Sequence, residues 1–139
     1  MKKNKVMCFG TFDLLHLGHL NYLKEAKKLG HYLIVVIARD KTKEKESKKL
    51  IFSEGERLEI IQSLKMVDEA VLGSLENHFK IILEKKPDLI CLGYDHKIKE
   101  EELKERLNEL NLDPEIRRMK PYHAEKYKST LIRKNIFEL

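Results

Sequence analysis

Apolar residues along the chain form short continuous runs that alternate with longer segments in which they recur every three or four positions. A short run rich in β-branched residues is typical of a strand buried on both faces, whereas the longer period is typical of an amphipathic helix. The pattern predicts five strands, at residues 5–9, 32–38, 69–72, 88–92 and 115–119.

Helices are expected between these strands and at the end of the chain. Ser53 and Glu56 form a capping-box pattern at the start of one of them, and Ser129 is expected to cap the last. Gly30 and Pro87 are expected to end the helices that precede them. The segment 41–49 is predicted to be a charged loop, either mobile and ordering over phosphate or simply solvated. The predicted helices are residues 17–29, 53–64, 77–86, 100–110 and 129–137.

Strands that alternate with helices indicate an α/β fold. We expect an open, doubly wound, Rossmann-like five-stranded parallel sheet with helices on both faces, formed by residues 1–139 as one domain. Ligands of such sheets bind beyond the carboxyl ends of the strands. The functional residues are therefore expected in the loops that follow Phe9, Ala38 and Leu92, and near the start of the last helix.

The composition narrows the class of protein. Charged residues make up 37% of the 139 residues, and the net charge is +5. Because the basic residues are interleaved with acids, they indicate a solvated surface and argue against a nucleic-acid partner. Cys8 and Cys91 lie in apolar runs without a CxxC motif, which predicts buried thiols in a reducing compartment. No signal peptide or transmembrane span fits the pattern, so we expect a cytoplasmic protein with no membrane partner.

The loop after the first predicted strand carries the chemistry. It contains Gly10-Thr11-Phe12-Asp13, followed by His16-Leu17-Gly18-His19 at a helix start. Two histidines three positions apart lie on one face of a helix, and Gly18 leaves room beside that face. A helix N-terminus attracts anions, so two added imidazole donors predict a phosphate cradle. The same pair is a poor metal site, because no third ligand completes the set nearby.

The GTFD and HLGH segments resemble the signature of the cytidylyltransferase-like nucleotidyltransferase superfamily, with its HxGH motif. Other segments that are similar to the family's motifs follow in the same order along nearly the whole chain. They are Lys48 and Lys49 after the second strand, Arg57 in Gly55-Glu56-Arg57, Leu92-Gly93-Tyr94-Asp95 after the fourth strand, and Ser129, Thr130 and Arg133 at the start of the last helix.

The resemblance implies an enzyme that transfers a nucleoside monophosphate from a nucleoside triphosphate to a phosphorylated acceptor and releases pyrophosphate. It implies catalytic roles for His16, His19, Lys48 and Arg133. A divalent metal such as Mg²⁺ is implied, with Asp13 as a candidate contact. The residues it implies for nucleotide binding are Gly10, Thr11, Phe12, Asp13, His16, His19, Lys49, Arg57, Gly93, Tyr94, Asp95, Ser129 and Thr130.

Within the superfamily, Ala38-Arg39-Asp40, Val71-Leu72-Gly73 and the segment 92–95 look most like archaeal FAD synthetases. That resemblance implies ATP as donor and FMN as acceptor. Glycerol-3-phosphate cytidylyltransferases, which use CTP, are the next most similar. The segment 117–128, with Tyr122 and Tyr127, suits either acceptor. A binding module for nucleotides or RNA is the non-enzymatic alternative. Separately, the resemblance implies that the protein is a homodimer.

Several residues keep two interpretations at this stage. Either Lys48 or Lys49 contacts phosphate, and the spacing to Arg57 favours Lys48. Arg57 either reaches the nucleotide or forms a surface ion pair with Glu54 or Asp68. Asp95 contacts ribose or base, or serves a turn, and Tyr94 stacks on a ring or caps its strand. The histidines without a supporting motif are expected at the surface: His31, His78, His96 and His123.

Overall fold

The computed structural model describes residues 2–46 and 49–139, and within these residues five strands alternate with six helices. In chain order the elements are β1 (Lys3–Gly10), α1 (Leu17–Lys28), β2 (Gly30–Ile37), α2 (Asp40–Lys45), α3 (Glu54–Gln62), β3 (Glu69–Leu72), α4 (Lys80–Lys85), β4 (Leu89–Leu92), α5 (Glu100–Glu109), β5 (Glu115–Arg118) and α6 (Ser129–Phe137).

The five strands form one parallel sheet in the order β3-β2-β1-β4-β5. The chain runs outward from β1 to β3 and then returns to place β4 on the other side of β1. The direction of winding therefore reverses between β1 and β4, which is where an open sheet of this kind forms a ligand crevice. The predicted doubly wound parallel sheet is confirmed.

Each face of the sheet is covered by its own apolar core, because alternate residues of a strand point to opposite faces. One core contains Val6 and Cys8 of β1 and is closed by side chains of α1 and α3, among them Leu23 and Ile61. The other contains Met7 of β1 and is closed by side chains of α4 and α5. The prediction of helices on both faces is thus confirmed, and both cysteines are free and buried as expected.

The capping box predicted at Ser53 is present. The Ser53 hydroxyl accepts from the Glu56 N–H at 3.2 Å, and the Glu56 carboxylate accepts from the Ser53 N–H at 3.2 Å. The prediction for Ser129 is wrong, because the cap position of α6 is Lys128, whose side chain makes no capping bond. α1 ends at Lys28 with Leu29 as its C-cap, so the helix stops before Gly30 as predicted, and Gly30 begins β2.

Two predicted boundaries are corrected by local polar contacts. The segment 41–49 is not wholly a loop, because α2 occupies Asp40–Lys45. The fourth helix begins at Lys80 and not at residue 77, because the Asn77 side chain accepts from the Phe79 N–H at 2.9 Å and holds a turn there. Among the described residues no helix has the length and apolar character needed to cross a membrane.

Two glycines differ in burial and in the space around them, since Gly30 is buried and Gly55 is exposed. A Cβ on Gly30 would lie 2.3 Å from Cγ2 of Val6, whereas one on Gly55, in the first turn of α3, would meet only the Ser53 hydroxyl at 4.0 Å. We expect Gly30→Ala to lower the free energy of unfolding by about 1–3 kcal/mol through overpacking. Gly55→Ala should raise it by up to about 1 kcal/mol, because alanine is the better helix former. Urea denaturation of both variants tests this, and equal stabilities would contradict it.

Candidate active site

The turn after β1 is shaped by Phe12. Its backbone is left-handed (φ 56°), and its ring folds back over Gly10, where a Cβ would lie 2.5 Å from the ring. The ring is 3% exposed and meets the ring of His19 edge-on, with centroids 5.2 Å apart. The Phe12 side chain is therefore buried in this structure, where it supports His19.

His16 and His19 form a reciprocal capping box at the start of α1. Nδ1 of His16 accepts from the N–H groups of Gly18 (3.1 Å) and His19 (3.4 Å), while Nδ1 of His19 accepts from the His16 N–H (3.3 Å). The two rings stack with centroids 3.7 Å apart. The predicted placement of both imidazoles on one face of the helix start is seen here.

These bonds fix the tautomer of both rings. A backbone N–H can only donate, so each Nδ1 must carry a lone pair, and the proton of each neutral ring lies on Nε2. Both Nε2–H groups are thereby left as donors. The capping function of the two histidines prepares their second function as hydrogen-bond donors to an anion at a helix N-terminus.

Burial keeps both rings neutral. It lowers the pKa of His19 to about 3, with a smaller contribution from repulsion by His16. The pKa of His16 is also lowered by burial, although the Asp95 carboxylate opposes the shift.

Gly18 is required by the ring of His16. A Cβ at this position would lie 2.9 Å from both Cε1 and Nδ1 of His16, and 3.1 Å from the carbonyl oxygen of Tyr127. The room that the sequence predicts beside the histidines is therefore filled by His16 itself and by the segment before α6.

Arg57 joins the loops that follow β1 and β2. Its side chain is 0% exposed and donates to the carbonyls of Phe52 (3.2 Å), Thr11 (2.8 Å) and Ala38 (2.9 Å). It also pairs with the Asp40 carboxylate at 2.7 Å. The interpretation as a surface ion pair with Glu54 or Asp68 is wrong, because the guanidinium is fully buried and its carboxylate partner is Asp40. Arg57 instead positions the loops around the site.

Asp13 links the turn after β1 to the loop before α3 and to the last helix, α6. Its buried carboxylate, 5% exposed, accepts from the N–H groups of Ile51 (3.0 Å) and Phe52 (2.9 Å) and pairs with Arg133 on α6. Arg133 also donates to the carbonyl of Lys49 at 2.6 Å. The loop before α3 and the last helix are therefore fastened to the turn after β1.

The lysine assignment is not decided by the structure. Lys48 lies outside the described residues, and the side chain of Lys49 is exposed beside the site. Ser129 and Thr130 form the first turn of α6, as predicted, and the two candidate catalytic side chains His16 and Arg133 approach the site from different elements.

A second arginine organises the loop after β4. Arg118 donates to the carbonyls of Gly93 (2.9 Å) and His96 (2.7 Å) and pairs with Glu100. Nδ1 of His96 accepts from the Gly93 N–H at 2.9 Å, and burial lowers the pKa of His96. The expected surface position of His96 is thus wrong. Tyr94, between them in the chain, is exposed toward solvent.

Tyr22 separates β1 from β4 at the crevice. The paired register of these strands ends at Cys8 and Cys91, and beyond that point the Tyr22 hydroxyl accepts from the Phe9 N–H (3.3 Å) and donates to the Cys91 carbonyl. The sequence analysis passed over Tyr22 and Arg118 and expected His96 at the surface. The one available signal was a polar-tipped tyrosine on the apolar side of α1, three positions after His19.

The open parallel sheet carries paired Nε2–H donors at its switch point, an arrangement that suits an anion such as a phosphate group. A family model described as cytidylyltransferase-like matches residues 7–135, and the chain belongs to this family of nucleotidyltransferases. Family membership decides between an enzyme and a binding module in favour of the enzyme.

Named relatives cover nearly the whole chain. An FAD synthase of Thermoplasma volcanium is 47% identical over 135 residues, which cover 97% of this chain and 95% of that protein. An FAD synthase of Picrophilus torridus is 45% identical and covers 97% of each chain. A solved Thermoplasma volcanium structure, described as a lipopolysaccharide core biosynthesis protein, is 48% identical with a TM-score of 0.84, covering 86% of this chain and 98% of that one.

The neutral state of His19 gives a first prediction for the site. We expect ¹⁵N-edited NMR spectra to show its Nε2–H tautomer unchanged between about pH 5 and 8, because burial holds its pKa well below that range. For the same reason the ring binds fewer protons folded than unfolded, so its contribution to stability declines as pH falls from the ordinary value of 6.5 toward about 3. A His19 titration near neutral pH would contradict the assignment.

The role of Arg57 gives a second prediction. We expect Arg57→Leu to destabilise the fold by about 3–5 kcal/mol, because three buried carbonyls and Asp40 lose their partner. Arg106→Leu is the control, since Arg106 is exposed, pairs with Glu102 at 4.0 Å and lies 5.7 Å from the centre of the Phe79 ring, and its loss should cost about 1 kcal/mol or less. Urea denaturation measures both, and a small effect at Arg57 would refute its role as an organiser.

Proposed function

We propose that the chain is an FMN adenylyltransferase, which transfers AMP from ATP to FMN and gives FAD and pyrophosphate. The observation that carries the proposal is the reciprocal histidine capping box, which points two neutral Nε2–H donors out of a helix N-terminus. The choice of ATP and FMN is supported by the two FAD synthases that are similar to this chain over nearly their full length.

The proposed reaction is a direct displacement. A phosphate oxygen of FMN attacks the α-phosphorus of ATP, a new P–O bond forms, and the bond from that phosphorus to the bridging oxygen breaks as pyrophosphate leaves. A phosphate is a competent nucleophile at neutral pH, so the protein has to position the reactants and balance the developing negative charge. His16 and His19 donate to the phosphate oxygens in this scheme.

We assign the other predicted residues to different parts of the bound nucleotide according to their positions. We assign Lys48, with Lys49 as the alternative, to the phosphates. Ser129 and Thr130 hold the departing pyrophosphate at the N-terminus of α6, and Arg133 anchors that helix through Asp13 and Lys49. Gly10 and Thr11 bring backbone close to the nucleotide, and Gly93, Tyr94 and Asp95 face its base or ribose.

A divalent metal enters this scheme as Mg²⁺ already bound to ATP, where it would neutralise phosphate charge. Both oxygens of Asp13 accept hydrogen bonds from Ile51, and one also pairs with Arg133. The described residues also contain no group of three or more potential metal ligands. They therefore fit a metal held mainly by phosphate oxygens and water, which is the coordination that Mg²⁺ prefers. A cytoplasmic homodimer remains our expectation for the working form.

A second candidate is CTP-dependent transfer to glycerol 3-phosphate or a related surface-polymer precursor. It is favoured by the similar solved structure described as a lipopolysaccharide core biosynthesis protein. The two candidates share the phosphate chemistry of the histidine pair and differ only in the base and the acceptor.

Pyrophosphate release distinguishes these candidates. The purified protein is supplied with ATP or CTP, each combined with FMN, glycerol 3-phosphate or phosphopantetheine. We expect release only with ATP and FMN, with FAD identified by chromatography and mass. Release with CTP and glycerol 3-phosphate would instead support the second candidate, and no release from any pair would refute both.

Asparagine replacements separate the two functions of the histidines. Asparagine at position 16 or 19 retains an acceptor that can take the place of Nδ1 in the capping box, but it lacks the Nε2–H donor. We expect His16→Asn and His19→Asn each to lower kcat about 10²–10³-fold with little change in stability. His31→Asn, at the opposite end of the sheet, is the matched control and should keep full activity. Near-normal turnover in either site variant would refute the donor role.

A further inference from the structure

Two tyrosines extend the histidine pair into a column of aromatic rings. The rings of His16 and Tyr127 have centroids 6.3 Å apart and planes 17° apart, and those of Tyr127 and Tyr122 are 6.0 Å and 7° apart. Because His19 stacks on His16, four rings follow one another, each nearly parallel to the next. The column begins at the phosphate cradle and ends at Tyr122, which is 39% exposed.

A turn at His123 places the two tyrosine rings face to face. His123 has a left-handed backbone (φ 47°), and its carbonyl accepts from the N–H groups of Lys126 (2.9 Å) and Tyr127 (2.8 Å). Its ring meets the ring of Tyr122 edge-on at 4.6 Å. This backbone conformation is uncommon for a residue other than glycine and carries a cost, so it is maintained by its surroundings. Strain of this kind concentrates at ligand sites.

Parallel, accessible tyrosine rings provide a surface for a planar heteroaromatic ligand. Stacking on such π faces recognises the shape of a ring system without reading its hydrogen-bonding pattern. The ammonium group of Lys126 lies 5.3 Å from the centre of the Tyr127 ring, which places a positive charge beside the column. A ligand that combines a planar ring with a phosphate group matches both features.

We infer that Tyr122 and Tyr127 hold the isoalloxazine ring of the flavin acceptor, an assignment that rests on the proposed function. The isoalloxazine has three fused rings and gains more from an extended stacking surface than the two rings of adenine. Its phosphate must reach the α-phosphorus of ATP beside His16, and the column connects the exposed surface to that histidine. Tyr94 and Asp95 are then left to the nucleotide.

Binding measurements with FMN alone test this subsite. A tyrosine stacked on isoalloxazine quenches flavin fluorescence, so a titration with FMN reports both affinity and stacking, while calorimetry with ATP reports the nucleotide site. The test variants are Tyr122→Leu and Tyr127→Leu, which keep an apolar side chain and remove the ring. Tyr122→Phe and Tyr127→Phe retain the ring. Tyr32→Leu is the control, since Tyr32 is 38% exposed at the far end of β2.

We expect each leucine variant to bind FMN about ten-fold more weakly or worse, with reduced quenching and an unchanged Kd for ATP. The phenylalanine variants and Tyr32→Leu should match the wild type, and thermal melting confirms that each variant is folded. Unchanged FMN binding in both leucine variants, or a loss of ATP binding in place of FMN binding, would overturn the inference.

The failure of this subsite and the failure of the proposed reaction give different results. A wild-type protein that makes FAD, with FMN affinity independent of both tyrosines, refutes only the subsite. One that binds FMN through the tyrosines but forms no FAD retains the subsite and refutes the reaction. A wild-type protein that does not bind FMN refutes both.

Discussion

The loops beyond the carboxyl ends of a parallel sheet bring together carbonyl groups that have left the strand ladder and still need donors. Two arginines meet this requirement. Arg57 gathers carbonyls from the loops after β1 and β2, and Arg118 gathers those of the loop after β4. Because a guanidinium offers five donors in a rigid plane, each arginine fixes several backbone segments at once. The remaining features of the site rest on loops held in this way.

Beside these loops, the hydrogen bonding that stabilises the start of α1 also orients the two histidine donors. The first N–H groups of any helix lack intrahelical partners, and in α1 Nδ1 of His16 accepts from two of them, while Nδ1 of His19 accepts from the N–H of the cap residue His16. That contact orients the rings, selects the tautomer and leaves Nε2–H free, while burial keeps His19 uncharged. A donor that is already oriented and desolvated needs no reorganisation when charge develops on a bound phosphate.

Hydrophobic periodicity was sufficient to predict a doubly wound parallel sheet with an apolar core on each face, because those features depend on residues near in sequence. The same reasoning located His16 and His19, whose roles follow from a three-residue spacing. It did not find the contacts of Arg57 and Arg118, because five of the six carbonyls that they bind lie 19 to 46 positions away and nothing in the local pattern identifies a carbonyl that lacks a donor. His96 was misjudged as a surface residue, although its partner is the nearby N–H of Gly93. The burial of Phe12 was missed because its ring packs on Gly10 and His19.

Tyr22 lies one turn along α1 from His19, and its hydroxyl replaces a ladder contact between β1 and β4. Helix α1 consequently sets both the width of the crevice and the direction of the imidazole donors. A tilt of α1 that widened the crevice would also change the orientation of the imidazole rings. Access to the crevice and alignment of the Nε2–H donors are therefore coupled.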